Sequence, residues 1–391
     1  MGHYWLVGQG AYGDGRFYWA VARSIWIDHD LDLTNELRHH YSPKSNNTFY
    51  EYIDPSPMHE DEKKQAFFLP IGTSLAWLPW MVMGEAVAPV KNGYSDAYQI
   101  AAGFGSVIYA VVGLFLVYKL TNWWTAMAIL LATNLVYYAG WDALNSHPVS
   151  FMLAAMFVFV WSKTKNAFLL GALLGMMTAV RTQDAVFGVM LLGRKDKLAM
   201  LMGFGLAMAP QLYIWQHFYN WQIPYWGTGQ NFNWLRPQIW GVLINAKTGI
   251  LWTAPILLAG WWGLRKLAWP LRLAVLLQFY VVASWNAWDQ AAAYGPRMLI
   301  SSYPIVALGI AKSLRYLTLD PSPDPGEGNQ KEGIFFGEGK KKVLVLIFLG
   351  VLNLAMITRF HLWVKDPTVD IGEVTRTRAV QKIRQLIYWE K

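Results

Sequence analysis

A glycine-flanked aspartate near the start of the chain is the first residue that could act as a general base. The segment reads Gly13-Asp14-Gly15-Arg16-Phe17-Tyr18 and leads into apolar residues at helical spacing. An aspartate at a helix start can cap it by accepting backbone N–H bonds. Asp14 and Tyr18 also share one helix face, and a carboxylate beside water can accept a proton from an attacking substrate. We predict Asp14 as the catalytic residue, with Tyr18 and Arg23 among the substrate-binding residues.

The segment that follows is acidic. Asp28, Asp30 and Asp32 alternate with other residues, and Asn35 and Glu36 lie behind them. Several carboxylate oxygens suit a hard divalent cation, but the same pattern is typical of a solvated helix end. We favour the solvated helix end and keep Asp28 and Asp30 as weak metal candidates. No cofactor is expected, although a divalent cation is left open.

Two further polar groups stand beside apolar stretches. The first is Asp142 with Asn145-Ser146-His147-Pro148, where proline is ordinary punctuation for a helix start. His147 either is a satisfied interfacial side chain or hydrogen-bonds a phosphate or a sugar hydroxyl. The second contains Arg181 and Asp184, which either form a local ion pair or leave the arginine as a forked partner for phosphate oxygens. We predict that His147, Arg181 and Asp184 bind substrate.

An aromatic segment carries the last candidates. Trp285 and Trp288 precede Tyr294-Gly295-Pro296-Arg297 at the start of another apolar stretch. Arg297 either extends toward lipid headgroups or lines a carbohydrate site, where aromatic faces cover the apolar faces of sugars. We predict that Tyr294 and Arg297 bind substrate.

The composition indicates what kind of chain positions these residues. Of its 391 residues 54% are hydrophobic and only 15% are charged, whereas an ordinary soluble domain is about 25% charged. A water-soluble enzyme is therefore excluded. The absence of cysteine excludes disulfides and thiolate sites. The net charge is +8, and the basic residues lie mostly in short loops between apolar stretches. This distribution indicates membrane topology rather than nucleic-acid binding. We expect no cleavable signal peptide.

Apolar stretches of roughly bilayer-spanning length recur along the chain. They are 98–118, 123–140, 147–162, 198–218, 248–264, 268–285, 298–315 and 343–362, with a shorter pair at 166–180 and 184–193 that forms either two thin helices or a helical hairpin. The sequence therefore predicts an all-α polytopic membrane protein with about ten transmembrane helices plus extracytoplasmic juxtamembrane helices.

Lysine and arginine concentrate in alternate loops, which assigns those loops to the cytoplasm. Residues 1–97 then form an extracytoplasmic loop, in which 66–90, with three prolines and Glu85, is expected to be an interrupted interfacial or re-entrant segment. A transmembrane core follows over 98–315. Residues 316–342 are expected to be a flexible cytoplasmic loop, and 343–391 a last transmembrane helix with an extracytoplasmic tail.

The order of these segments resembles the GT-C superfamily of integral membrane glycosyltransferases, which includes protein O-mannosyltransferases and the aminoarabinose transferases of lipid A. The resemblance is carried by GDGRFYWAVARSIWIDHDLDLTNE, FFLPIGTSLAWLPW, SHPVSFMLAAMFVFVW, GALLGMMTAVRTQDAVFG and AYGPRMLISSYPIVALGIA. It covers most of 10–315 and is similar to an uncharacterised bacterial branch. The family has a transmembrane helix ahead of its catalytic loop, so the chain either lacks that helix or has a divergent N-terminus.

The resemblance implies an inverting sugar transfer on the outer face of the inner or plasma membrane. The donor is a sugar on a polyprenyl phosphate, and the acceptor is an extracytoplasmic glycan, lipid or protein. It also implies that Asp14 is the base and that Arg181, Arg297 and His147 bind the lipid phosphate. The alternatives are a transporter or flippase for a lipid-linked saccharide and a non-catalytic membrane subunit.

Overall fold

The computed structural model describes residues 11, 13–39, 67, 69–221, 231–290, 293–317 and 335–361. Every named element in this part of the chain is helical. The α-helices are α1 Asp14–Arg23, α2 Thr34–His39, α3 Gly72–Val87, α4 Asp96–Leu120, α5 Trp123–Leu131, α6 His147–Lys163, α7 Ala167–Val180, α8 Lys197–Tyr219, α9 Ile239–Ile244, α10 Ile250–Thr253, α11 Ile256–Leu264, α12 Trp269–Ser284, α13 Tyr303–Leu317 and α14 Phe335–Arg359. The predicted all-α class is confirmed for these residues.

Four short helices of other types connect these elements. A π-helical turn at Ser24–Asp28 extends α1, and a second at Tyr137–Trp141 follows α5 after a break. A 3₁₀ helix at Thr182–Leu191 follows α7, and another at Arg297–Ser302 leads into α13. Several predicted spans therefore consist of two pieces. Of the short pair predicted at 166–180 and 184–193, the first arm is α7 and the second is the 3₁₀ helix that follows it.

Helix α3 runs antiparallel along the first half of α4. Trp77 donates its indole N–H to Ser106 at 3.0 Å, and the Tyr109 hydroxyl donates to the carbonyl of Ala76 at 2.5 Å. Gly84 lies against the backbone of Tyr98, so a side chain at residue 84 would collide with that backbone. Pro79 lies inside α3 without interrupting it. The interruption expected within 66–90 is therefore wrong for residues 72–87, and the expected interfacial placement of this segment stays a prediction.

Two parallel helix pairs pack closely through glycine residues. Gly171 of α7 contacts the carbonyl of Met200 in α8, and Gly263 of α11 contacts the carbonyl of Gly309 in α13. Small residues allow two helix backbones to approach closely, as in membrane helix bundles. The parallel direction of each pair agrees with the alternation of loops predicted from charge.

By length and composition, two helices of the described chain could cross a membrane. They are Asp96–Leu120, with a mean hydropathy of 2.3, and Lys197–Tyr219, with a mean hydropathy of 1.4. The other apolar helical segments, among them Val343–Arg359 of α14, have 17 residues or fewer. The remaining predicted spans stay a prediction. Of the expected loop over 316–342, residues 318–334 lie outside the described residues, and the expectation is wrong for 335–342, which belong to α14. The tail beyond residue 361 and the segments 1–10 and 40–66 also lie outside the described residues.

The close contact between Gly309 and Gly260 predicts a large effect of one methyl group. A Cβ at residue 309 would lie 2.1 Å from the Gly260 carbonyl oxygen. We expect Gly309→Ala to lower the free energy of unfolding by about 1–3 kcal/mol because the backbones must separate. Thermal unfolding in detergent measures this effect. Gly205→Ala is the matched control, since a Cβ there meets open space. Equal stability of the two variants would contradict the packing.

Candidate functional site

Asp14 and Arg297 form an ion pair between the first helix and the segment that precedes α13. The Asp14 Oδ2 atom lies 2.9 Å from Arg297 Nη1, and the two side chains are 37% and 15% exposed. Asp14 is the first residue of α1, and Gly13 is the N-cap residue of that helix. Burial acts to lower the pKa of Arg297, but the charge of Asp14 and its neighbours outweighs this and raises the pKa. One carboxylate edge of the pair is therefore left accessible.

The first turn of α1 is held by a close backbone contact. A Cβ at Gly15 would lie 2.0 Å from the carbonyl oxygen of Leu144. Only glycine allows α1 to approach so closely the loop that joins the π-helical turn at Tyr137–Trp141 to α6. This contact places Asp14 beside the segment that carries Ser146 and His147.

A tight turn presents Arg297 to Asp14. Gly295 has a φ of +62°, which side chains rarely adopt. The Tyr138 hydroxyl accepts from the Tyr294 N–H at 3.1 Å and donates to the Tyr294 carbonyl at 3.0 Å. Asn134 donates to the same carbonyl at 3.3 Å. Residues around the break after α5 therefore hold the backbone that precedes Arg297.

Arg181 reaches the same region from the end of α7. Its Nη1 atom lies 2.9 Å from Ser146 Oγ and 2.9 Å from His147 Nδ1, and its Nη2 contacts Met298 Sδ. A guanidinium can only donate. His147 Nδ1 must then accept, which places the imidazole proton on Nε2.

Three buried donors surround this junction without an acceptor. In the described part of the chain, no hydrogen-bond partner contacts Arg181 Nε, Arg297 Nε or His147 Nε2. A buried donor that lacks an acceptor costs about 1–3 kcal/mol. The positive charge and the free donors together favour an anionic, oxygen-rich ligand.

Asp184 has an internal role in the structure. It accepts from Ser301 at 2.6 Å, from Ser150 at 3.0 Å and from Gln278 at 3.2 Å, and it is fully buried. No ion pair joins it to Arg181 among the described residues. Asp184 therefore ties α6, α12 and the second 3₁₀ helix together. The alternative of a local Arg181–Asp184 ion pair is wrong.

Arg23 points away from Asp14 into a second charged cluster. Its Nη1 lies 2.5 Å from Asp28 and 2.6 Å from Glu36, and its Nε donates to the Asn92 carbonyl at 2.9 Å. Its guanidinium also covers the ring of Tyr94. These partners give Arg23 a structural role and do not bring it together with Arg181 or Arg297.

The remaining predicted residues are placed as follows. Tyr18 is buried with its ring edge-on to Trp77. Tyr294 is buried and donates to Asn353 Oδ1 at 2.8 Å, so its backbone rather than its ring belongs to the site. Asp28 binds Arg23 and Asn35, while Asp30 accepts from Ser24 and from the Asp32 N–H. The described residues include no group of three acidic or histidine side chains placed to hold a metal.

Sequence reasoning missed Tyr138, Asn134 and Met298. Tyr138 and Asn134 lie in an apolar stretch where a tyrosine resembles an ordinary interfacial anchor. The feature that could indicate Tyr138 and Asn134 is the break in the helix. It leaves backbone N–H and C=O groups without intrahelical partners, and side chains must form hydrogen bonds with them.

No family model, curated protein or solved structure matches this chain. Membership of the GT-C superfamily therefore stays a prediction.

The cluster around Arg23 predicts a pH dependence of stability. Burial raises the pKa of Glu36 from its usual 4.5 to about 8, and Arg23 only partly offsets this. The folded state then holds the proton more tightly than the unfolded state, so the stabilisation is present at low pH and is lost as pH rises toward 8. We expect Glu36→Gln to flatten the fall in unfolding free energy between about pH 4.5 and about pH 8, measured by denaturant unfolding. A variant that is less stable than the native chain at the upper pH would contradict this prediction.

Proposed function

We propose that this protein is a GT-C type glycosyltransferase that moves a sugar from a polyprenyl-phosphate donor to an extracytoplasmic acceptor. The observation that carries the proposal is the convergence of Asp14, Arg297, Arg181 and His147, which come from four distant parts of the chain, on one junction. A carboxylate and an anion-binding cluster are the two groups that such a transfer requires.

The proposed reaction assigns a separate task to each group. The acceptor hydroxyl or amine attacks the anomeric carbon from the face opposite the phosphate, and its proton passes to the Asp14 carboxylate. The bond between the anomeric carbon and the phosphate oxygen breaks, and its electron pair leaves with polyprenyl phosphate. Arg181 and His147 donate to the phosphate oxygens on which charge develops. Inversion at the anomeric carbon follows from this geometry.

The surface of the helices supports membrane insertion. Phe104 and Phe115 of α4 are each about half exposed, as are Leu201 and Leu206 of α8 at 67% and 68%. Exposed apolar surface of this extent on a monomer is typical of contact with lipid. We propose that the shorter helices cross the bilayer as well, giving about ten spans. The site then faces the outside of the inner or plasma membrane.

Replacing the base tests the enzyme directly. We expect Asp14→Asn to lower sugar transfer by about 10²–10⁴-fold, because the amide cannot accept the acceptor's proton. The assay follows the release of labelled polyprenyl phosphate and labelled product in membranes that contain the full chain. Asp96→Asn is the matched control, because Asp96 is also the first residue of a helix but is exposed. We expect this control to retain activity.

The outcomes separate the alternatives. Unchanged product formation by Asp14→Asn would contradict its role as base. Movement of a labelled lipid-linked saccharide across the vesicle membrane, without formation of the sugar-transfer product, would favour the transporter or flippase. Absence of both activities in the native chain would favour a non-catalytic subunit.

The absence of cysteine allows the membrane topology to be tested with single-cysteine variants. We expect an impermeant maleimide to label Lys91→Cys in intact cells and Lys195→Cys only after permeabilisation. Both lysines are exposed, and the loop charges assign them to opposite sides. Phe104→Cys and Phe115→Cys should resist labelling in both cases, because lipid covers them. Equal labelling at all four positions would contradict membrane insertion.

A further inference from the structure

An open apolar groove of about 390 Å³ lies between α5 and α14. Trp123, Trp124 and Met127 line it from α5, and Ile347, Gly350 and Leu354 line it from α14. Gly350 keeps the groove wide, since a Cβ there would lie 3.7 Å from the nearest atom, the Cβ of Leu131. Such a lining offers almost nothing to a polar ligand and suits a hydrocarbon chain.

Lysines precede the groove-lining residues of both helices at the same end of the groove. Lys119 precedes α5 and is exposed. Lys340, Lys341 and Lys342 lie in the helical turn of α14 immediately before the groove residue Val343. Trp123 is 59% exposed at this same end, where tryptophans anchor to the membrane interface. An apolar channel that ends at several lysines is complementary to a lipid with an apolar chain and an anionic headgroup.

We infer that this groove binds an acyl chain of an anionic phospholipid from the cytoplasmic leaflet, with its phosphate at the lysine-rich end. The inference rests on the membrane insertion proposed above and does not depend on sugar transfer. Charge complementarity selects this occupant over a zwitterionic phospholipid. The lysines lie at the cytoplasmic end of the groove, whereas the proposed polyprenyl-phosphate donor binds its phosphate at Arg181 on the outer side. The position of the lysines therefore favours the phospholipid over the donor.

The groove adjoins the hydrogen bonds that hold the candidate site. Asn353 lies one turn beyond Gly350 and donates to the carbonyls of Leu131 at 2.9 Å and Thr133 at 2.7 Å. Its Oδ1 accepts from Tyr294. A lipid that fills the groove therefore holds α14 against α5 and, through Asn353, steadies the segment that carries Arg297.

The test uses the purified full chain in detergent with phosphatidylglycerol or phosphatidylcholine. Native mass spectrometry counts retained lipid, and thermal unfolding measures the shift in midpoint. We expect phosphatidylglycerol to remain bound and to raise the midpoint, and phosphatidylcholine to do so at least about tenfold less effectively. Ile347→Trp, which fills the groove, should lose the adduct. Leu344→Trp is the matched control, since Leu344 is 65% exposed on the same helix and does not line the groove.

Each outcome decides the inference. Retention of phosphatidylglycerol by Leu344→Trp but not by Ile347→Trp supports it, and Gly350→Leu repeats the test if Ile347→Trp fails to fold. Equal retention by the groove-filling and control variants would overturn it. Equal retention of the two lipids would overturn the anionic selectivity, and displacement of phosphatidylglycerol by polyprenyl phosphate would assign the groove to the donor instead. Lipid retention is measured without sugar transfer, so the two proposals fail separately. An inactive Asp14→Asn variant that still retains phosphatidylglycerol would show that the groove binds lipid when sugar transfer is lost.

Discussion

The contact between the Asp14 carboxylate and the Arg297 guanidinium is the interaction on which the candidate site depends. It joins residues 283 positions apart, so it depends on the packing of the helices between them. Arg297 is largely buried, and removing its partner would leave a buried charge without compensation. The glycine contact at residue 15 and the turn at residue 295 bring the two charges to hydrogen-bonding distance. The backbone geometry therefore determines the distance between the two charges.

Much of the helical architecture could be predicted from the sequence, because apolar length and loop charge are local properties. The helix over 96–120 and the parallel direction of α7 and α8 agree with those patterns. The breaks within 123–140 and 248–264 could not be predicted, since they depend on distant partners. Asn353 satisfies the carbonyls of Leu131 and Thr133 across 222 and 220 positions. Nothing near residue 131 in the sequence indicates that such a partner exists.

The candidate site was predictable in its residue types but not in its pairings. Asp14, Arg181 and Arg297 were recognised because a charged residue beside an apolar stretch requires an explanation. The same reasoning selected Arg23 and Asp184, which the fold surrounds with internal partners. A sequence does not distinguish a charge that binds a ligand from one that is neutralised within the protein. That difference is decided by side chains such as Glu36 and Ser301, which approach only in the folded chain.

The ion pair also constrains how the proposed reaction would begin. The Asp14 Oδ2 atom that would accept the proton already accepts a hydrogen bond from Arg297 Nη1 at 2.9 Å. An anionic phosphate entering beside Arg181 and His147 would compete with Asp14 for the guanidinium of Arg297, whose Nε still lacks an acceptor. Transfer of the Arg297 Nη1 hydrogen bond to the phosphate would free Asp14 Oδ2 for the acceptor hydroxyl or amine. Binding of the donor would therefore expose the oxygen that accepts the acceptor's proton in the proposed reaction, and without a donor Arg297 would continue to occupy that oxygen.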